Sequence, residues 1–215
     1  VPAYFLQLSH NLISDQKTRL SAVLWIIDHE PNQPIPSKVF KSLAQDPLAY
    51  QQLSSAYDKA IAAHPEWTAS LISVAADMDS SFGHGDRGMA RFAQAIEAHP
   101  KDAILRNNAC WARATKNIEL DKAMIDCDAA ISLQPEGGFF DSRGLVHLQR
   151  GEWAAAISDY DAALAKMPQL NTSRFGRGIA ETHLGKADEA KSDLAAARLA
   201  NSKIDETFVG YGLKP

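Results

Sequence analysis

A seven-residue signature recurs along the chain as 59-KAIAAHP-65, 94-QAIEAHP-100, 129-AAISLQP-135 and 162-AALAKMP-168, with a proline-less fifth copy at 196-AARLANS-202. Its prolines stand 35, 35 and 33 residues apart, and Ser202 follows 34 residues after Pro168. A period of that length marks one supersecondary unit stacked on its own copies, because a single unit cannot bury its apolar face alone. The two C-terminal copies also match internally: 144-GLVHLQRGEWAAAISDY-160 lies over 178-GIAETHLGKADEAKSDL-194 without a gap. Each copy reads as a helix with a small residue midway (Gly144, Gly178), a turn at Gly151 or Gly185, and a second amphipathic helix. In that helix Ala156, Tyr160, Ala163 and Leu164 fall at helical spacing. Proline then ends the unit, since it lacks the N–H and clashes with the preceding turn. The small residues let paired helices approach closely and a large neighbour fills the adjacent gap, so Gly144→Leu or Ala163→Trp is expected to overpack the pair.

This pattern resembles the tetratricopeptide repeat family. The match is best over 137–168, with Gly144, Ala156, Tyr160, Ala163 and Pro168 in the family's packing places and His147 where the family often has tyrosine. Gly178, Ala190, Leu194 and Ala197 fill the next copy; Cys110, Ala123, Cys127, Ala130 and Pro135 fill the preceding one. Gly88, Phe92, Ala95 and Pro100 form another after a longer turn, 80-SSFGHGDRG-88, and Leu53, Tyr57, Ala60 and Pro65 supply a second helix for the first. The resemblance implies an all-α fold, a right-handed superhelical α-solenoid of helix-turn-helix repeats. We expect a single array over 1–215, with a divergent amino-terminal cap and first repeat over 1–65 and repeats over 66–100, 101–135, 136–168 and 169–202. The cap would comprise a helix around 11–29, the bend 31-PNQPIPS-37 and a short helix near 37–45. A C-terminal cap over 203–215 would cover the last repeat with Phe208 and Tyr211.

Composition narrows the function classes. With 22 Lys and Arg against 26 Asp and Glu, interspersed, the net charge of −4 offers no basic field, so nucleic acid and anionic membranes are not expected partners. The longest apolar run, 22-AVLWII-27, is far short of the roughly 20 residues that span a bilayer. A soluble protein is expected, and its compartment is open between the cytoplasm and a periplasmic or secreted location after signal removal. The chain begins at Val1, which is compatible with a removed signal peptide, an upstream domain or a tag.

Two Asp-x-Asp triplets, Asp126–Asp128 and Asp159–Asp161, look like paired carboxylates for a metal. In a helix, residues two apart point about 200° away from each other, so neither pair can share one cation. Asp126, Asp159 and Asp193 recur once per unit, and Arg143 and Arg177 each stand one residue before the small position of a first helix. Because the second helix of one repeat packs against the first of the next, we expect Asp126 with Arg143 and Asp159 with Arg177 as structural ion pairs, and Asp161 turned to solvent. Cys110 and Cys127 fall at facing positions of one helix pair. Buried free thiols are the expected state, since cysteine packs as a small hydrophobe; a disulfide requires Cα atoms within about 7 Å. His64 and His99 share a loop place before a repeat proline and His84 lies in a glycine-rich turn, none with the company of a metal site. The turn 83-GHGDRG-88 lacks the lysine and strand of a phosphate loop, and no nucleophile or metal-hydrolase motif is present. No enzyme activity, cofactor or metal is expected.

In the family that the pattern resembles, first helices line a concave face that holds a peptide or helix of a partner protein. Carried over by place, the lining is Ile72 and Asp79, then Asn107 and Trp111, then Asp141, Leu145, Leu148 and Gln149, then Phe175, Ile179 and His183. Asparagine can pair with both groups of a ligand backbone, and Trp111 and Phe175 are the expected apolar anchors; Trp111 could equally pack within its own repeat. The family's basic clamp for a terminal carboxylate is missing from these places. A non-catalytic interaction or scaffold module follows, with an unidentified protein or peptide partner. The other readings are an accessory domain or subunit of an enzyme, for example one of the cell envelope, whose catalytic portion lies outside this chain, and homo-oligomerisation through the terminal caps.

Overall fold

Helices of 13 or 14 residues recur between residues 68 and 200. The computed structural model describes residues 15–44 and 46–215, which fall into two units, Val1–Pro100 and Lys101–Pro215. Residues 1–14, including the first part of the expected amino-terminal cap, lie outside the described residues, as does Gln45. The secondary structure of the described residues is helical throughout.

In the first unit, α1 (Gln16–His29) starts where Asp15 accepts a hydrogen bond from the Thr18 N–H. The proline bend follows, with Ile35 tucked into the core. Next come α2 (Ser37–Leu43), α3 (Pro47–Ala63), a 3-10 turn (Pro65–Trp67), α4 (Thr68–Ser81) and α5 (Gly85–Ala98). Proline at the first position of α3 has no N–H to waste, and Asp46 caps the next two amides. Val23, Ile26, Phe40, Leu43, Leu53, Tyr57, Leu71 and Met78 form the core of this unit.

The second unit is three helix pairs and a tail: α6 (Ala103–Lys116) with α7 (Leu120–Leu133), α8 (Gly137–Arg150) with α9 (Trp153–Lys166), α10 (Asn171–His183) with α11 (Ala187–Ala200), and α12 (Ile204–Gly210). The turns inside the pairs repeat one device. Asn117, Gly151 and Gly185 take the left-handed conformation, and the next residue's N–H reaches back to Arg113, His147 and Glu181 respectively. This satisfies helix-end carbonyls and reverses the chain. Each second helix packs on the first helix of the following pair, and α6, α8 and α10 lie side by side.

Tyr160 shows what the small residues are for. Its ring lies against Gly144 of its own pair, where an added Cβ would come within 2.8 Å of it, and against Gly176 of the next pair, where the clash would be worse. Leu194 presses Gly178 in the same way. Gly176 is a packing residue absent from the sequence reading; no glycine occurs at the equivalent places, Ser142 and Asn108.

The ion pairs form, but with other partners than expected. Arg143 grips Asp159 of its own pair with two hydrogen bonds, at 2.8 and 2.7 Å, and its remaining nitrogen reaches Asp128 of the preceding repeat at 2.8 Å. Arg177 repeats this on Asp193 (2.6 and 3.1 Å) and Asp161 (2.6 Å). Asp126 is held by Arg113 at 2.7 Å and by Arg106 at 3.4 Å, not by Arg143. The expected Asp126–Arg143 and Asp159–Arg177 pairs and the solvent-facing Asp161 are therefore corrected. A planar guanidinium has two usable edges, so one arginine closes its own pair with one edge and clamps the previous repeat with the other. The first unit achieves the same with the charges exchanged. Arg91, on a second helix, binds Asp79 of the first helix at 2.8 Å and also Asp58 of the preceding repeat.

Two tests follow. Gly176→Ala should destabilise the chain by ~1 to 3 kcal/mol in urea unfolding, because the methyl group meets the Tyr160 ring. Removing the buried carboxylate in Asp159→Ala, which strands the Arg143 fork, should cost ~3 kcal/mol, whereas Asp161→Ala at the half-exposed end of the clamp should cost less than ~1 kcal/mol. Equal losses from the two aspartates would contradict the clamp.

Candidate functional site

The face made by α6, α8 and α10 gathers most of the expected lining residues of the second unit, and it is filled. After α11 the chain turns at Asn201–Lys203, and α12 carries its own apolar side, Ile204 and Phe208, inward, both almost completely buried. The Phe208 ring meets Phe175 of α10, with centroids 4.8 Å apart. Tyr211 then meets Trp111 of α6 edge to face at 6.0 Å. Between them Gln149 of α8 donates to two backbone carbonyls, Tyr211 of the tail at 2.8 Å and Ala114 of α6 at 3.1 Å. Gly212 in the left-handed conformation closes α12, with the Leu213 N–H returning to the Phe208 carbonyl at 2.9 Å. Leu213 and Tyr211 join the same apolar cluster as Leu145, Leu148, Phe175 and Ile179. The tail thus reaches back past the last repeat to α6, further than the expected terminal cap.

Beneath the tail lies a polar floor. Asp141 is buried and accepts hydrogen bonds from the hydroxyls of Ser173 and Thr172 on α10. Among the described residues no basic group forms an ion pair with it. Burial raises its pKa to about 6 against the opposing effect of the two hydroxyls. Its charge also acts on the phenols of Tyr160 and Tyr211, both of which burial pushes upward first. The Tyr160 hydroxyl and Asn107 Oδ1 are buried without hydrogen-bond partners among the described residues.

The remaining candidates lie elsewhere. His183 is exposed at the end of α10 and stacks on Trp153 at 4.0 Å, so it braces neighbouring pairs and does not line the face. In the first unit Ile72 is buried, and the Asp79 carboxylate is taken by Arg91 and by the Tyr50 hydroxyl. Trp111 is half-buried and turned to the tail. Phe208 covers the last repeat through Phe175, as expected of the 203–215 segment, whereas the onward reach of Tyr211 to Trp111 was not foreseen from the sequence.

Cys110 and Cys127 are joined in a disulfide, with Cα atoms 5.5 Å apart, which corrects the expectation of free thiols. The bridge stands where Gly144 and Tyr160 meet in the next repeat. It ties α6 to α7 immediately beside Trp111. Among the described residues no group of three His, Cys, Asp or Glu side chains is placed to hold a metal ion. No helix there is long and apolar enough to cross a membrane.

Asp141 generates a pH prediction. A carboxyl whose folded pKa is raised favours the fold while protonated, so its contribution is present at low pH and is lost as pH rises from about 4 through about 6. Asp141→Asn keeps an acceptor for Ser173 and Thr172 without the charge. It should unfold at a higher temperature than wild type at pH 7.5, by ~2 to 3 kcal/mol of stability, with the difference shrinking below pH 4. A difference independent of pH would contradict the assignment.

No family model matches the chain. A stretch of 84 residues, 38% of the chain, is 34% identical to NADPH oxidase activator 1 of Rattus norvegicus, and it spans only 19% of that protein. Among solved structures, a thermophilic TPR protein of Thermus thermophilus superposes with a TM-score of 0.57 at 18% identity, over 82% of this chain and 97% of the other. A tetratricopeptide repeat protein from Parabacteroides merdae gives 0.57 at 16% identity, over 82% of this chain and 73% of the other. Yeast Tom70 gives 0.65 at 16% identity, over 97% of this chain but 45% of its own length. The repeat period, the small-against-large helix pairing and these likenesses agree: the chain has the all-α tetratricopeptide repeat fold.

Proposed function

We propose that this chain is a non-catalytic interaction module that holds a segment of a partner protein on the face of α6, α8 and α10. The observation that carries the reading is that this face already accommodates a polypeptide by a ligand-like mode. Two aromatic side chains, Trp111 and Phe175, receive aromatic groups, and Gln149 binds a backbone carbonyl. Apolar anchors with a side-chain-to-backbone bond are the mixture that peptide grooves use, since anchors supply affinity and backbone pairing sets register. Asp141, Leu145, Leu148 and Ile179 form the floor beneath. The Cys110–Cys127 bridge favours an oxidising compartment, outside the cytoplasm, because such bonds persist there and are reduced in cytosol.

The reading is tested by affinity capture from the native source with the wild-type chain, Trp111→Ala, Phe175→Ala and the control Leu199→Ala, whose side chain is 91% exposed. Partners held by the wild type and the control should be lost from both aromatic variants while circular dichroism remains helical. If folded Trp111→Ala and Phe175→Ala chains retain every partner, the face is not the binding site.

A further inference from the structure

The C-terminal segment does more than an end cap needs. A cap must cover the last helix pair so that stacking stops, and contact with that pair is enough. Here Ile204 and Phe208 do cover it, but Tyr211 continues across α8 to Trp111 on α6, two repeats earlier. We propose that residues 203–215 are an internal competitor for the face of α6, α8 and α10. The external ligand of that face is then a partner segment of the same chemistry: a short helix with two aromatic side chains one turn apart, closed so that a free backbone carbonyl meets Gln149. This rests on the binding reading above and adds what the ligand looks like and how the face is guarded.

Three features make the tail displaceable. The seven residues of α12 are too few to hold a helix alone, so the segment orders only when docked and gives up that order on leaving. Its charged anchor among the described residues, the two-bond contact of Arg198 with Asp205, is nearly half exposed on both sides and weakens with salt. Its outward face carries Glu206, Val209 and Gly210, all exposed among the described residues. The tail's advantage is its tether, since attachment through Asn201–Lys203 gives it a high effective concentration that a free ligand must overcome. A partner therefore meets a closed face unless it binds more tightly than the tail or the tail is drawn away.

The probe is a fluorescein-labelled synthetic peptide of residues 203–215, titrated by anisotropy into the chain of residues 1–215. Wild type should bind it weakly, and the tail variant Phe208→Ala/Tyr211→Ala at least tenfold more tightly. Adding Trp111→Ala to the tail variant, or the two alanines to the peptide, should reverse the gain. A cooperatively melting tail variant that binds the peptide no better than wild type overturns the proposal. If the tail variant fails to fold, hydrogen exchange on wild type decides: amides of 208–213 should exchange well before those of α11, and exchange only with global unfolding overturns the idea. A wild-type dimer that exchanges tails between copies and depends on Tyr211 also overturns it, since the occupant would then be a second copy. Failure here is separable from failure of the binding reading. Equal partner capture by wild type and the tail variant, with loss in Trp111→Ala, sinks the competitor and leaves the binding face standing. Peptide binding with no Trp111-dependent partner does the reverse.

Discussion

The fully buried ring of Tyr160, set between the backbones of Gly144 and Gly176, fixes how far apart consecutive first helices stand. Helices of 14 residues are marginal in isolation, so the geometry of this chain is decided by tertiary contacts and not by propensity. A ring that touches two first helices at once sets their separation, because a close-packed interior gives little when a methyl group is added or removed. The separation in turn sets the width of the face on which Phe208 and Tyr211 lie. The double-edged arginines act in the same direction. Arg143 and Arg177 each lock a pair internally and tie it to the one before, so spacing and register are set by different groups.

What the sequence reveals follows from what periodicity can encode. Recurring small and large residues gave the pairing of helices, and Gly151 and Gly185 gave the turns of the last two pairs, because those positions are used in the same way in both copies. The recurrence of Asp126, Asp159 and Asp193 likewise marked them as structural. The direction in which each reaches was hidden, since an arginine on the partner helix of the same pair and an arginine in the next repeat lie at similar separations along the chain, before and after the aspartate. Gly176 was invisible for the opposite reason: its role depends on the bulk of Tyr160 in the neighbouring repeat, and ahead of the equivalent Ser142 the place of Tyr160 is taken by Cys127. The disulfide was readable as a facing pair, but a small-plus-large packing pair and a covalent pair occupy the same two places. Sequence spacing alone does not choose between them.

The tail is the feature that most changes the candidate site. Read along the chain, 203-KIDETFVGYGLKP-215 is a short amphipathic end piece, and an end piece is expected to protect its nearest repeat. Its reach is set by Gly212, whose left-handed backbone ends α12 and sends Leu213 back over Phe208. The same turn leaves the Tyr211 carbonyl facing Gln149. Place-by-place transfer from the tetratricopeptide pattern found the receiving residues, Trp111, Gln149 and Phe175, because first helices present the same side in each copy. It could not find the occupant, which lies outside the repeats.

The bridge and the clamps fix the side chains that the proposed binding face presents. Cys110 is bonded across to α7 and is followed directly by Trp111, so the helix that carries the outermost anchor is fixed by a covalent bond. Phe175 lies on α10, one residue from Gly176 and two from Arg177, and is held by the Tyr160 contact and the Asp193–Asp161 clamp. On the proposed binding reading, both aromatic side chains are positioned before a partner segment arrives, and the ordering cost of binding would fall on that segment. Selectivity would then rest on whether a segment can form one short helical turn with rings at the spacing that the chain's own 203–215 segment presents.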